Sequence, residues 1–130
     1  MDDLKLLLKG YEEGLVGEKS CRDYLKAIGH KFFQADVISI SPSGKYYLWE
    51  CKNQERFKAP PFDGHGLPIW QVEARLEFYR LTNVRPILWI HEKPSGDIYI
   101  QFFDVLYSGK KFITHKSKRV IFPIESFVKK

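Results

Sequence analysis

"YYLWECKNQ", residues 46–54, is the stretch on which the reading of this chain turns. Its aromatic and apolar residues predict a strand inside a sheet. Glu50 and Lys52 interrupt that strand two residues apart, on one side of the pleat. An acid and a base in a sheet interior cost several kcal/mol unless they are paired or hold a ligand. The interruption therefore asks for a partner or a function.

Just upstream, "HKFFQADVISI" (30–40) reads as a second strand and "SPSGK" (41–45) as the turn joining the two. A Pro42-Ser43-Gly44 loop predicts a type I turn with Gly44 in the left-handed position. That register pairs Ser41 with Lys45 and sets Asp36 directly opposite Glu50. Opposed side chains have Cβ atoms about 4.5–5.5 Å apart. Two carboxylates that close repel, and one is forced to take a proton unless a cation intervenes. Mg²⁺ takes one or two carboxylates and leaves its other positions to water and phosphate. Lys52 would lie beside that cation. A loop one residue longer or shorter would turn Asp36 to the other face.

Further out, Leu4, Leu7, Leu8, Tyr11 and Leu15 follow helical spacing, with Asp2 or Asp3 placed to cap the start. A second helix is expected from Gly17 to Ile28, with Cys21, Tyr24, Leu25 and Ile28 on its apolar face and Gly29 as its stop. "NQERFKAPPFDGHGLP" (53–68) reads as a long loop directly after the acid–base strand. In it Arg56 and Lys58 are candidates for phosphate contact, and His65 reads as a mobile spectator. A third helix is expected at about Ile69–Leu81, presenting Ile69, Val72, Leu76 and Tyr79. "RPILWIH" (85–91) and "IYIQFF" (98–103) predict two strands around a "KPSGD" turn, and "RVIFPI" (119–124) a short last one. The order ααββαββ predicts an α/β domain, a mixed sheet flanked by helices. Trp49, Trp70 and Trp89 read as packing residues, and Cys51 as core.

A length of 130 residues predicts one domain, and 44% hydrophobic with 28% charged residues is the balance of a folded globular chain. No apolar run approaches the roughly 20 residues that span a bilayer, and "MDDLKLLLKG" is not a secretory signal, so a cytoplasmic, membrane-free protein is expected. Cys21 and Cys51 form no zinc spacing and no disulfide framework, and the four histidines are scattered. The net charge is +5. Residues 108–130 carry seven Lys or Arg against Glu125 alone, so this segment is +6 and the rest about −1. A basic C-terminal segment on a near-neutral body suits a polyanion, with Lys116, Lys118 and Arg119 as candidate contacts, or is a solvated tail.

Asp36 followed by Glu50-Cys51-Lys52 on the next strand resembles the signature of the PD-(D/E)XK nuclease superfamily. The order helix, acid-bearing hairpin, helix and further strands matches that superfamily from about Gly17 to Phe103. The closest likeness is to small archaeal-type Holliday junction resolvases, which have a glutamine opening the helix after the E-x-K strand, as Gln71 does in "WQVEARLEFYRL", then an aromatic-apolar strand like "RPILWIH". The resemblance implies a restriction-endonuclease-like core and Mg²⁺- or Mn²⁺-dependent hydrolysis of DNA in recombination or repair. Asp36, Glu50 and the carbonyl of Cys51 would hold the metal, which lowers the pKa of bound water and neutralises charge on the phosphate. Lys52 would orient or deprotonate that water, or stabilise the transition state. Glu18, or Glu12 or Glu13 in its stead, would supply a helical acid. Gln71 would position a phosphate or Lys52, and Arg75, one turn on, would reach phosphate or form an ion pair with nearby Glu residues. A homodimer is implied, with the exposed sheet or the third helix as interface. A single-strand or flap nuclease of the same fold, and a non-catalytic nucleic-acid-binding domain, remain alternatives, as does RNA in place of DNA.

Overall fold

The computed structural model describes the backbone of residues 2–30, 36–58 and 61–130 and, within the first helix, the side chains of Asp3, Lys5, Val16 and the residues from 19 onward. The chain forms two compact units, Met1–Gln34 and Ala35–Lys130.

The first unit holds one helix, α1 (Asp2–Ala27), in place of the expected pair. A glycine inside a helix costs about 1 kcal/mol without breaking it, so Gly17 did not divide the segment. Gly29 does end it as expected. It has φ +82°, and the N–H groups of Gly29 and His30 close onto the carbonyls of Lys26 and Leu25 at 3.1 and 2.9 Å. Of the apolar face expected here, Cys21 is exposed, Tyr24 is 65% and Ile28 51% exposed, and Leu25 is half-buried.

The second unit is a mixed α/β domain. Its strands are β1 (Val37–Ile40), β2 (Tyr46–Glu55), β3 (Gly64–Pro68), β4 (Arg85–Lys93), β5 (Ile98–Phe102), β6 (Phe112–Ile113), β7 (Arg119–Pro123) and β8 (Val128–Lys129). Its helices are α2 (Ile69–Thr82) and α3 (Phe103–Ser108). Five strands form a sheet in the order β1-β2-β4-β5-β8, and β3-β7-β6 form a second sheet. β2 is antiparallel to β1 and parallel to β4, which makes the larger sheet mixed, as expected. The core lies between the sheets and the helices: Leu67, Val72, Leu88, Ile90, Tyr99, Phe103, Leu106, Val120, Phe122 and Phe127 pack together. Val72, Leu76 and Ile69 carry the apolar face expected of α2, which ends at Asn83 in the left-handed region (φ 59°).

Three readings are corrected. The loop 53–68 is bounded by strand at both ends. β2 runs on to Glu55, and 64–68 form β3. Gly64 and Gly66 belong to that strand because a Cβ at either would stand 1.9 Å from the carbonyl oxygen of Phe122 or Val120. Only glycine admits so close a partner strand. Phe103 opens α3 instead of ending a strand. The basic segment is built into the fold as β6, β7 and β8 rather than trailing as a tail.

Candidate functional site

The β1–β2 hairpin has the expected register. Val37 faces Trp49, Ile38 faces Leu48, Ser39 faces Tyr47 and Ile40 faces Tyr46. The turn closes through Ser41 N–H to Lys45 O and Gly44 N–H to Ser41 O, both 2.8 Å, with Gly44 at φ +83°. Asp36 lies just before β1 and the Val37–Trp49 pair, in an exposed bend. Its Oδ2 accepts the N–H of Cys51 at 2.8 Å.

Glu50 is 5% exposed and Lys52 is half-buried beside it, with Nζ 3.5 Å from Glu50 Oε1. In the parallel ladder Glu50 and Lys52 neighbour the core residues Leu88 and Ile90, so both occupy the inner face. Cys51 points the other way and is exposed, which corrects its reading as core. Partial burial first, then the Asp36 and Glu50 carboxylates, push the Cys51 thiol pKa up.

α2 brings the second cation. Arg75 is 7% exposed, and its Nη2 donates to Glu50 Oε2 at 3.1 Å. Arg75 is thus committed to the acid inside the site and is not a surface phosphate contact. One turn before it, Gln71 is half-buried, and Gln71 Oε1 and Arg75 Nε are buried without a hydrogen-bond partner. A buried orphan donor or acceptor costs about 1–3 kcal/mol. One of them, on Arg75, stands on the guanidinium that meets Glu50, and the other lies one turn earlier on α2, so the fold leaves polar capacity unused there. Glu50 is thus met by Arg75 and Lys52, while Asp36 is held by the Cys51 amide.

The oxygen donors named for a hard cation are partly engaged, since Glu50 Oε1 faces Lys52 and Oε2 faces Arg75. Asp36, Glu50 and the Cys51 carbonyl supply two carboxylates and a backbone oxygen, and Mg²⁺ asks for no more from protein. Among the described residues no group of three His, Cys, Asp or Glu side chains comes together. The Glu18, Glu12 and Glu13 side chains lie outside the described residues, on α1.

The remaining candidates divide. Lys58, Lys116 and Lys118 are exposed. Arg119 is half-buried, with its guanidinium 5.8 Å from the centre of the Phe57 ring. Arg56 is turned inward: Nε and Nη2 donate to the two oxygens of Glu92 at 3.0 and 3.2 Å, and Nη2 donates to Tyr99 Oη at 2.9 Å. It is a structural cation, not a free phosphate contact. Trp49 and Trp89 are half-buried and meet edge to face at 6.1 Å, whereas Trp70 is 65% exposed, against its reading as packing.

A second polar cluster went unread in the sequence. His65 is fully buried; Nε2 lies 2.6 Å from Glu92 Oε2, and Nδ1 lies 3.0 Å from Gln54 Oε1. It is not a spectator. Burial pushes its pKa below the ordinary histidine value, opposed by Glu92. Burial acts to raise the Glu92 pKa, but hydrogen bonds and charge from Arg56 and His65 outweigh it and hold the carboxyl low. Gln54 was within reach of the sequence, being two residues past Lys52 on the same face. Glu92 was not, because only the parallel register sets it beside Gln54.

No family model, curated protein or solved structure matches this chain.

Proposed function

We propose that this protein is a metal-dependent phosphodiester hydrolase, a DNA endonuclease with a restriction-endonuclease-like core. The observation that carries the reading is the Asp36 carboxylate held on the Cys51 N–H at 2.8 Å, between Glu50 and Lys52, with Lys52 Nζ 3.5 Å from Glu50 Oε1. Asp36, Glu50 and the Cys51 carbonyl are the residues for Mg²⁺ or Mn²⁺, which when bound would activate water and neutralise charge on the scissile phosphate. Lys52 is placed to hold or deprotonate that water; a lysine serves as base where burial or a neighbouring cation lowers its pKa. Gln71, with an unused buried acceptor beside Arg75, is a candidate to orient a water donor. A structure-specific, resolvase-like homodimer cutting both strands by two-fold symmetry is the finer form of this reading.

One observation favours a second reading. Arg75 and Lys52 already neutralise Glu50. A buried guanidinium there can stand in for a metal, and the domain would then bind nucleic acid without cutting it. Incubation with Mn²⁺ and linear, nicked, flap, junction and single-stranded DNA separates the two. Metal-dependent cleavage lost in Asp36→Ala supports the hydrolase. Binding without cleavage, together with no Mn²⁺ heat in calorimetry, supports the binding domain.

A further inference from the structure

Trp70 stands in the first turn of α2, beside Gln71, and leaves 65% of its surface in water. Tryptophan joins a large apolar ring to a polar N–H, the combination enriched at binding surfaces. Its chain neighbour Ile69 donates its N–H to the carbonyl of Lys118 at 2.9 Å, and β7 lies against β3 with Arg119 facing Pro68. The turn carrying the exposed Lys116 and Lys118 is therefore fixed at the start of α2. That turn is itself braced. Thr114 N–H bonds Arg119 O at 2.9 Å, Arg119 N–H bonds Thr114 Oγ1 at 3.1 Å, and Ser117 Oγ bonds Thr114 Oγ1. An open indole and two anchored lysines thus share one corner, on the helix that delivers Arg75 to Glu50.

We infer that this corner binds an unpaired nucleotide of a nucleic-acid strand, with its base stacked on Trp70 and adjoining phosphates on Lys116 and Lys118. Charge selects a polyanion, because the exposed Lys116 and Lys118 share this turn, with Arg119 following them. The indole selects an open base, since every base offers a π-face but only an unpaired one can lay it on a side chain. The inference rests on the phosphodiester reading for its choice of polyanion. It narrows the substrate class to strands with unpaired bases, such as single strands, flaps or open junctions, and disfavours fully paired duplex.

The test is equilibrium binding without divalent metal, so that cleavage plays no part. Fluorescein-labelled oligo-dT, oligo-U and a fully paired DNA duplex are titrated with wild type, Trp70→Ala, Trp70→Phe and Lys116→Ala/Lys118→Ala. Trp70→Ala should weaken single-strand binding roughly 5- to 150-fold, the range for one lost base stack. Duplex binding should change less than about twofold, and Trp70→Phe should keep most of the single-strand affinity. The double lysine variant should weaken both ligands and flatten the single-strand salt slope by about 1.4, at about 0.7 for each phosphate contact. Preference for oligo-dT or oligo-U separates a DNA strand from an RNA strand as the ligand. The idea is overturned if Trp70→Ala leaves single-strand affinity intact, if it weakens duplex equally, or if wild type binds neither. A positive result without metal-dependent cleavage keeps this surface and removes the hydrolase.

Discussion

Two buried carboxylates on neighbouring strands of one sheet make the clearest contrast in this molecule. Glu50 on β2 and Glu92 on β4 are 5% and 6% exposed, and each meets an arginine and a second base. Glu92 is saturated. Arg56 grips both of its oxygens, His65 stands at 2.6 Å, and Tyr99 Oη takes up a further guanidinium hydrogen. Glu50 has a single 3.1 Å bond from Arg75 and a looser 3.5 Å approach from Lys52, and Arg75 Nε is left without a partner. A fully satisfied polar network rigidifies a fold, whereas an unsatisfied one is under-used by the fold alone. The Glu92 cluster is the structural member of the pair and the Glu50 cluster is the candidate site.

The contrast can be broken in four ways. The largest effect belongs to the chemistry. Asp36→Ala, Glu50→Gln and Lys52→Ala should each reduce metal-dependent cleavage by about 10²- to 10³-fold or more, the scale for removing a group that stabilises developing charge. Asp36→Ala should cost only about 1 kcal/mol of stability, because it forfeits one exposed bond to Cys51 N–H. Rapid cleavage by any of these variants assigns the chemistry elsewhere.

Next comes Glu92→Ala, which leaves Arg56 and the buried His65 without their acid. Removing one member of a buried pair costs about 3–5 kcal/mol. Urea melts should register that loss with or without Mn²⁺. Were added metal to restore the midpoint, Glu92 would belong to the metal site and the division drawn above would fail.

Arg75→Met sharpens the contrast from the other side. It leaves Glu50 buried without its guanidinium, so the metal-free protein should melt earlier. Mn²⁺ should raise its midpoint more than that of wild type, by up to about 2.7 kcal/mol at a hundredfold excess over Kd. Equal metal response in the two proteins would mean that Arg75 and the metal do not share Glu50.

The smallest effect is a pH dependence at the structural cluster. Burial holds the folded His65 pKa below its ordinary 6.5. Around and just below that pH the unfolded chain therefore binds more protons than the folded one, and stability rises with pH. The contribution is complete above about pH 6.5 and is lost as pH falls towards the lowered folded value. Thermal melts from pH 7.5 to 5 should show this decline in wild type and not in His65→Gln. Glu92, also held low, adds a further loss only at more acidic pH, below its ordinary 4.5. A flat wild-type profile between pH 7 and 5.5 would show that His65 is not held neutral.

The sequence by itself determined what depends on local geometry. The Pro42-Ser43-Gly44 turn defined the hairpin register from Ile40–Tyr46 to Val37–Trp49, because a three-residue loop and a period of two leave no freedom between them. Gly29 stopped α1, and the apolar spacing of Ile69, Val72 and Leu76 set the inner face of α2. Tertiary structure alone decided the partners of the buried charges. Arg75 reaches Glu50 across a 25-residue separation, and His65 reaches Glu92 across 27. Nothing in the local pattern of an arginine in a helix or a histidine between glycines names a partner so distant. The strand at Gly64–Pro68 was hidden for the same reason: its glycines read as loop until β7 comes close enough to exclude any side chain. Pattern reports which face a residue occupies, but a buried charge is stabilised by whatever the packed fold sets within about 3 Å of it, and that proximity belongs to the whole chain.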